Sequence, residues 1–346
     1  QNYVKWMDQT ENGEDIVISS RVRLARNLHE LPFPHLLNEE KGAEVMKLIR
    51  QVWEKDDTNL NGMDFASLKE LSIMDRQILM EKHLISPEFS HFNSAYRGVL
   101  VNEEGSICTM INEEDHIRIQ CVQPGLNLDQ CCQQAMSLDD AFEAELDYAF
   151  DEKRGYLTAC PTNVGTGLRA SVMLHLPAIQ FTGQARYVFQ NLNQLGLAVR
   201  GIYGEGSEAL GNFFQISNQV TLGQTEEDIC NYLQGVSHQL VEQEKMIRDN
   251  LKKEMPYQLK DRVGRAYGIL THAQIITSQE ALALLSDVRL GVDLGLLQGI
   301  TPFDLNQLMV AIRPAHLQRR AAREMDEMER DVIRAEIIKE KLRGMK

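Results

Sequence analysis

A run of acids between two strand-like segments constrains the fold of this chain more than any other feature. Residues 113–115 are all acidic, and His116 and Arg118 follow within three positions. The segments on either side, residues 106–111 and 119–122, are apolar or β-branched and lie between glycine and proline, so they are predicted to be strands. Three acids between buried strands repel one another unless cations face them. The alternative is an acidic hairpin turn exposed to water, since runs of charge are usually solvated.

Length, charge and cysteine usage narrow the class of protein. With 346 residues the chain forms two domains or one large one, and its net charge of −14 disfavours nucleic acid as a primary partner. No apolar run approaches the roughly 18 residues of a membrane span. Residues 1–13 are polar and show no signal peptide, and the six cysteines lack CxxC spacing. We therefore expect a cytoplasmic protein with reduced thiols, no membrane partner and no protein-held metal site.

Residues 15–27 supply cations of the kind that the acids require. Ile16 begins a strand pattern, and its continuation places Ser19, Arg21 and Arg23 on one face because strand side chains alternate. Neighbouring arginines on one face repel unless an anion lies between them. Arginine offers a fork of donors that matches phosphate oxygens, so a phosphate clamp is one interpretation. An exposed strand with solvated charges is the other.

Two later segments combine glycine with arginine. Residues 155–176 are predicted to form a short strand, a glycine-rich loop and a second strand that carries Arg169. Residues 197–208 are predicted to form a strand followed by a loop, and this segment carries Arg200 and Glu205. Glycine lets backbone approach a ligand closely. Neither segment contains the GxxxxGK[ST] pattern of a P-loop, and the motif set of eukaryotic-type kinases is absent.

The remaining pattern predicts an α+β protein with a domain boundary near residue 250. Helices are predicted at 39–53, 67–84, 127–148, 179–195 and 225–254, and a hairpin spans 97–111. No strand pattern appears after residue 257, where Ser278 is predicted to be the N-cap of one helix and another helix begins at Thr301-Pro302. Residues 313–346 form a final helical segment with ten Lys/Arg against seven Asp/Glu.

The arginines and carboxylates together suit phosphoryl transfer to a guanidinium. Such chemistry depends on positioning and on neutralising phosphate charge, which a fan of arginines can do. Magnesium takes few protein ligands, so it does not account for all the carboxylates. A guanidinium has a pKa above 12 and can be held by two carboxylates, one of which accepts its proton. The candidates for those carboxylates are Glu114 and Glu205.

Four segments resemble the phosphagen (guanidino) kinase family, the creatine and arginine kinases: SSRVRLARN, NEEDHIR, CPTNVGTGLRASV and RGIYGE. They occur in the family's order between residues 15 and about 250. The resemblance implies an antiparallel sheet flanked by helices, similar to glutamine synthetase, for residues 15–250, and a separate all-α domain for 251–346. It implies that ATP with Mg²⁺ is held by Ser19, Ser20, Arg21, Val22, Arg23, His83, Arg118, Arg169, Ala170, Ser171, Val172, Met173, Arg200, Gly201, Ile202, Tyr203, Gly204 and Glu205. Glu114 matches the catalytic glutamate and Glu205 the second one.

Two departures point to one branch of that family. Family members that act on metabolites carry a helical domain with a closing loop before the first motif, whereas about fourteen residues precede Asp15 here. Ile202 also replaces the usual threonine. Both features resemble the bacterial protein arginine kinases, which phosphorylate accessible arginines of proteins and mark them for a AAA+ unfoldase–protease. The resemblance implies those partners, an activator protein and a homodimer. Cys160 matches a thiolate that contacts guanidinium in metabolite kinases. Its apolar neighbours give no evident stabilisation of a thiolate beyond nearby arginines, which disfavours a catalytic role and leaves redox sensitivity as the alternative.

The C-terminal segment contains one further motif of that branch. Residues 330–335 match RDxxRA, which implies a regulatory phosphoarginine pocket made of Arg330, Asp331, Val332, Ile333, Arg334 and Ala335. Arg330 and Arg334 are four apart and share one helix face. Without the resemblance, a solvated basic face paired with Glu327 and Glu329 is the simpler interpretation.

Two other functions remain open at this point. A kinase for a small guanidino metabolite fits the same motifs, and the missing N-terminal domain disfavours it. A catalytically inactive adaptor that binds phosphoarginine is the alternative from another class. The presence of Glu114, Glu205 and the arginines disfavours the adaptor.

Overall fold

A computed structural model describes residues 3–8, 16–55, 60, 62–201 and 210–343, and an eight-stranded antiparallel sheet forms the centre of this part of the chain. The strands are β1 (Val17–Arg26), β2 (Met63–Ser67), β3 (Gly98–Asn102), β4 (Ile107–Ile111), β5 (Ile117–Pro124), β6 (Phe150–Asp151), β7 (Gly155–Tyr156), β8 (Leu168–His175), β9 (Leu197–Gly201) and β10 (Phe213–Asn218). The sheet order is β2-β3-β4-β5-β1-β8-β10-β9, and β6 pairs with β7 in a separate small ribbon. The strands that carry the recognised motifs, β5, β1 and β8, are therefore central neighbours.

Seven helices lie within the described part of the first 254 residues. They are α1 (Glu39–Trp53), α2 (Ile73–Glu81), α3 (Pro87–Ser90), α4 (Leu128–Glu143), α5 (Pro177–Phe181), α6 (Ala185–Gln194) and α7 (Glu226–Glu254). Local sequence explains their starts: the Asn38 side chain accepts a hydrogen bond from the amide of Lys41 at α1, and Thr225 and Asp228 form a capping box at α7. Helices α1, α4, α6 and α7 contribute to one hydrophobic core together with the inward residues of the central strands.

Alternation along the central strands separates this core from the opposite face. Val22 and Leu24 of β1 and Ala170 and Val172 of β8 are fully buried in the core beneath the helices. The residues between them point to the other face of the sheet. One face of the sheet thus packs beneath these helices, and the other carries polar side chains together with apolar ones such as Val122.

Five helices form the described C-terminal part of the chain: α8 (Pro256–His272), α9 (Ser278–Asp293), α10 (Pro302–Ala311), α11 (Pro314–Ala321) and α12 (Glu327–Arg343). As predicted, α10 begins with Pro302 at its first turn, and Thr301 and Asp304 form a capping box there. A second hydrophobic cluster includes residues from all five helices together with Ile18, Val122 and Phe213 of the sheet. The C-terminal helices therefore share a core with the second face of the sheet.

The α+β architecture predicted from the sequence is confirmed, but four predicted helical segments have different bounds. The segment 127–148 is helical only as far as Glu143, the end of α4. The segment 67–84 gives helix only from Ile73, because Met63–Ser67 pairs with β3 as the edge strand β2. The segment 179–195 is divided into α5 and α6 at Gly183, which has φ of 72°. The segment 313–346 is divided into α11 and α12 after Ala322, which ends α11 in the left-handed conformation with φ of 54°.

None of the helices in the described ranges combines the length and the apolar character needed to cross a bilayer.

Candidate functional site

Cross-strand register brings arginines from four strands to one face of the sheet. Residues directly opposite each other in an antiparallel pair point to the same face. Arg23 on β1 lies opposite Arg169 on β8 and opposite Gln120 on β5, two positions from Arg118. Arg200 on β9 lies opposite Gln215 on β10, which lies opposite Met173 on β8. The predicted group of arginines on this face is Arg21, Arg23, Arg118, Arg169 and Arg200.

These arginines are close enough to oppose one another's charge. Desolvation, followed by Arg118 and Arg169, lowers the pKa of Arg21 to about 10, and desolvation with Arg21 as the next cause lowers the pKa of Arg23 well below its ordinary value. The Nε atom of Arg23 is buried and has no hydrogen-bond partner in the described residues. Buried polar groups are normally satisfied. Both observations indicate that the face is built to receive an anion.

Polar side chains of β8 and β10 hold Arg21 in place. Its Nε donates to Ser171 Oγ at 3.3 Å, and its Nη2 donates to Gln215 Oε1. Arg169 donates through Nη2 to Ser217 Oγ at 3.3 Å. These contacts orient the guanidinium groups of Arg21 and Arg169 through neutral side chains.

The adjacent acids of the 113–115 run have different roles. Glu113 is 7% exposed, pairs with Nη1 of Arg118 and accepts from Ser86 Oγ at 2.7 Å. Burial acts to raise its pKa, but Arg118 and Ser86 outweigh burial, and the pKa lies below its ordinary value. Glu114 is 42% exposed, and its Oε2 lies 3.8 Å from Nη1 of Arg118. Burial is the main cause that raises the pKa of Glu114, with Asp115 and Glu113 adding to it. Glu114 is therefore the more basic and more accessible carboxylate.

The rest of the 112–118 stretch anchors the turn. Asn112 adopts φ of 57° and donates to the carbonyl of Tyr96 at 2.6 Å. Asp115 is fully buried, and its Oδ1 accepts from Asn27 Nδ2 at 2.6 Å and from the amide of Ala159 at 2.7 Å. The acidic turn exposed to water, which the sequence left open, is wrong for this stretch except at Glu114.

His116 is a buried neutral histidine beneath the turn. Its Nδ1 accepts from the amide of Leu28 at 3.0 Å, so Nε2 carries the proton and donates to the carbonyl of Pro32 at 3.0 Å. Burial lowers its pKa to about 4. The histidine of the motif thus positions backbone and does not face the clefts.

Two clefts meet at Arg118. The first has about 280 Å³ of space, and its lining includes Arg21, Arg23, Arg118, Arg200 and His83. The second has about 440 Å³, and its lining includes Glu88, Glu113, Glu114, Phe92, Arg97 and Arg118. One guanidinium therefore stands between a cationic cleft and an acidic one, which is the arrangement needed to bring a phosphate chain to a cationic acceptor.

His83 lies in the first cleft in a left-handed conformation with φ of 62°. Its ring faces Trp6 at 5.9 Å between centroids, and its carbonyl accepts from Gln120 Nε2 at 2.8 Å. Burial, then Arg313 and Arg21, lowers its pKa to about 3, so the ring is neutral at pH 7. The sequence placed His83 near a nucleotide, and the structure places it beside the arginines.

The other predicted nucleotide-binding residues of β1 and β8 lie on both faces of the sheet. Ser19, Ser171 and Met173 share the face of the arginines. The side chains of Ser20, Val22, Ala170 and Val172 point into the opposite core, so any contact they make with a ligand on the arginine face is through backbone. Gly201 lines the first cleft. Ile202, Tyr203, Gly204 and Glu205 lie outside the described residues, so the second predicted carboxylate is not placed.

Cys160 lies in the loop before β8, with Sγ 3.0 Å from Thr162 Oγ1. Its neighbour Ala159 lines the acidic cleft.

The C-terminal motif is more buried than the sequence suggested. Arg334 is 2% exposed; it donates through Nε to the carbonyl of Ile312 at 3.0 Å and through Nη1 to the carbonyl of Ile276 at 2.9 Å, and it pairs with Asp331. Arg330 is partly exposed and donates to the carbonyl of Met325 at 2.9 Å. The solvated basic face is therefore wrong for Arg334. Ala335 is buried, and Val332 and Ile333 are partly exposed.

Several residues that line the clefts were missed from the sequence, and three of them carry polar or charged groups of interest here. Gln215 lies on the arginine face of β10, where strand alternation could have found it. Arg97 lies in the acidic cleft and stacks on Phe92, with its guanidinium carbon 3.7 Å from the ring centre. Arg313 of the C-terminal part lines the first cleft, and no local pattern marks it.

Two family models match this sequence. Residues 44–247 match ATP:guanido phosphotransferase, C-terminal catalytic domain, and residues 256–346 match Protein-arginine kinase McsB C-terminal domain. The gap between the two matches falls where α7 ends and α8 begins.

Relatives match over nearly the whole length. A protein-arginine kinase of Syntrophomonas wolfei is 59% identical over 344 residues, which is 99% of this chain and 96% of that protein. A protein-arginine kinase of Moorella thermoacetica is 51% identical over 342 residues, 98% of this chain and 97% of that protein.

Solved structures show the same fold at lower identity. Lombricine kinase aligns with a TM-score of 0.60 and 23% identity over 72% of this chain and 70% of that chain. The duplicated taurocyamine kinase from Schistosoma mansoni with bound transition state analog components aligns with a TM-score of 0.62 and 24% identity over 77% of this chain and 40% of that chain.

Proposed function

Since this chain belongs to the ATP:guanido phosphotransferase family and to its protein-arginine kinase branch, we propose that it transfers the γ-phosphoryl group of ATP to arginine side chains of proteins at the two clefts that meet at Arg118. The observation that carries this proposal is the position of Arg118, which lines both the cationic and the acidic cleft. ATP would occupy the first cleft and the substrate guanidinium the second.

Electrostatics of the first cleft support a polyphosphate ligand. Arg21 and Arg23 are held beside other cations, and their pKa values are lowered by desolvation and by those neighbours. A phosphate chain would relieve that repulsion and would satisfy the buried Nε of Arg23 through charge-assisted hydrogen bonds. Preorganised cations of this kind stabilise the charge that develops on a transferring phosphoryl group.

The second cleft supplies a base. A nitrogen of the substrate guanidinium would form a bond to the γ-phosphorus while the bond from phosphorus to the bridging oxygen of ADP breaks. The proton leaving that nitrogen would pass to the Glu114 carboxylate, whose pKa is raised mainly by burial. Arg118, 3.8 Å from that carboxylate, would face the transferring group. Glu113 remains the counterion of Arg118. Glu205 is proposed as the second carboxylate from the resemblance.

Magnesium fits this site as part of the substrate. Mg²⁺ usually keeps several waters and binds through substrate phosphates with one or two carboxylates. In the described residues no group of three or more His, Cys, Asp or Glu is arranged to hold a metal ion, while the half-exposed Glu114 lies beside the arginine cleft. The metal would neutralise phosphate charge when MgATP binds.

The cellular role is proposed from the resemblance to bacterial protein arginine kinases. We propose that phosphoarginine on damaged or regulatory proteins marks them for a AAA+ unfoldase–protease in the cytoplasm, and that the enzyme is a homodimer that responds to an activator protein. We also propose that residues 330–335 bind phosphoarginine. Arg330 is the partly exposed arginine of that motif, whereas Arg334 is already bound to two carbonyls and to Asp331.

The test is incubation with MgATP and an unfolded protein, followed by mass spectrometry under non-acidic conditions. Phosphate is expected on arginine, in a P–N bond that acid cleaves and base leaves intact. Glu114→Gln is the matched inactive control, and free arginine is the competing acceptor. Label on Ser or Thr that survives acid would overturn the proposal, and turnover of free arginine in preference to protein would favour a metabolite kinase.

A further inference from the structure

An arginine of the C-terminal part reaches the cleft formed by the catalytic sheet. Arg313 lies between α10 and α11 and lines the cleft that also contains Arg21, Arg23 and His83. It is close enough to His83 to be, after burial, the main cause of the lowered pKa of that histidine. The cleft therefore has walls from both parts of the chain, the sheet on one side and the start of α11 on another.

The backbone around Arg313 is fixed on both sides. The preceding carbonyl, that of Ile312, accepts from the buried Nε of Arg334 at 3.0 Å, and the amide of Arg313 donates to Val310 at 3.1 Å. Beyond it, the amides of Ala315 and His316 donate to the Glu81 carboxylate at 2.8 and 3.1 Å. These contacts hold the backbone of Arg313 at the edge of the cleft.

The residue that holds α11 lies between two residues of the cleft wall, Met80 and His83. Glu81 is 5% exposed at the end of α2, two positions before His83, and its Oε2 also lies 2.7 Å from His316 Nδ1. Docking of α11 and placement of His83 therefore depend on the same short segment. This arrangement adds another cation to a cleft that already contains several arginines, and cations gathered at one site suit a phosphate ligand.

We propose that Arg313 is a nucleotide-binding residue that the C-terminal domain supplies, and that it contacts the phosphate chain of ATP from the wall opposite the sheet arginines. This inference rests on the proposed function, in which the first cleft holds ATP. A guanidinium can meet two phosphate oxygens at once, and Arg313 lines the same cleft as Arg21, Arg23 and Arg118. ATP would then bridge the catalytic sheet and the C-terminal helices.

The experiment is calorimetric titration of the full chain with MgATP. Arg313→Gln is compared with Arg319→Gln, a matched control on α11 whose guanidinium pairs with Asp75 and does not line the cleft. Arg313→Gln is expected to raise the ATP dissociation constant roughly threefold to thirtyfold, as for loss of one partly exposed charge-assisted contact. The control should stay within about twofold of the unaltered protein, and so should the thermal midpoint of Arg313→Gln without nucleotide. If the glutamine variant does not fold, Arg313→Met decides the same question.

Arg21→Gln tests whether the first cleft holds ATP, independently of whether Arg313 contacts it. If Arg21→Gln weakens ATP while the Arg313 variant matches the Arg319 control, the cleft holds ATP and the inference about Arg313 is wrong. If neither the Arg21 nor the Arg313 variant changes ATP affinity, the proposed position of ATP is wrong as well. Weakening by both, with the control unchanged, supports the inference.

Discussion

Replacing Glu113 and Glu114 one at a time by glutamine should affect different properties: the first should lower stability, and the second should lower the catalytic rate. Glu113 is 7% exposed and Arg118 is 16% exposed, so their ion pair is largely removed from water. Glu114 is 42% exposed and lies 3.8 Å from the same guanidinium. The two changes are chemically identical and one position apart, which makes each the control for the other.

The expected magnitudes follow from burial. Removing one partner of a buried pair costs about 3 kcal/mol, at the lower end of the usual range because glutamine keeps one acceptor oxygen. An unfolding entropy of about 2.1 cal/mol/K per residue gives roughly 0.7 kcal/mol/K for 346 residues, so Glu113→Gln should lower Tm by about 4 °C. Glu114→Gln should cost less than about 1 kcal/mol, as exposed pairs do. Its rate should instead fall by roughly 10²–10⁴, the usual contribution of a positioned general base.

The dependence of stability on pH provides a second measurement. The folded pKa of Glu113 lies below its ordinary value. Its stabilising contribution is therefore complete above the unfolded pKa and is lost as pH falls through the folded pKa. The Tm difference between the unaltered protein and Glu113→Gln should accordingly shrink as the solution is acidified below the ordinary pKa of glutamate.

The assay pairs thermal unfolding with the initial rate of phosphate transfer to a peptide. For Glu114 the pKa is raised, so kcat/KM should fall with acidity at a pH above the ordinary glutamate pKa, and Glu114→Gln should remove that dependence. Near-full turnover by Glu114→Gln would refute its assignment as the base. An unchanged Tm for Glu113→Gln would refute the assignment of Glu113 as a buried counterion.

Three further outcomes are expected. Arg21→Ala or Arg169→Ala should raise the ATP dissociation constant by roughly tenfold to a hundredfold, since each charge-assisted contact is worth about 1.5–3 kcal/mol, and unchanged calorimetric affinity in both would mean that these arginines are not a phosphate clamp. Arg330→Ala should keep basal activity on a small peptide and lose any response of rate or sedimentation to phosphoarginine. Arg334→Ala should also lower Tm, because its three hydrogen-bond partners lose their donor. Equal responses in Arg330→Ala and the unaltered protein would exclude a phosphoarginine site at Arg330. His116, with a folded pKa of about 4 against an ordinary value near 6.5, should make the protein lose stability as pH falls from about 6.5 toward 4, and His116→Gln should flatten the Tm profile in that window.

The sequence by itself determined which face of β1 carries Arg21 and Arg23, and which class of reaction the family performs. Strand alternation is a local property of the backbone, so the spacing of Arg21 and Arg23 is enough to assign both to one face of β1. The segments that surround them match one family in order, and the fold, the reaction class and the branch all follow from that match. The hairpin of β3 and β4 and the long helix α7 were likewise readable from period and capping.

Only the tertiary structure decided which residue of each motif does what. Glu113, Glu114 and Asp115 are consecutive acids, yet Glu113 is a buried partner of Arg118, Glu114 is half-exposed, and Asp115 is buried against Asn27, because each meets different partners. Arg334 looked like a surface cation and is instead held by carbonyls of two other segments. No local sequence pattern marked Arg313 as a residue that lines the first cleft. The burial of a side chain and the identity of its partners depend on contacts between segments that are far apart in the chain. The period of apolar residues, the spacing of motifs and the composition describe only residues that are near one another in the sequence.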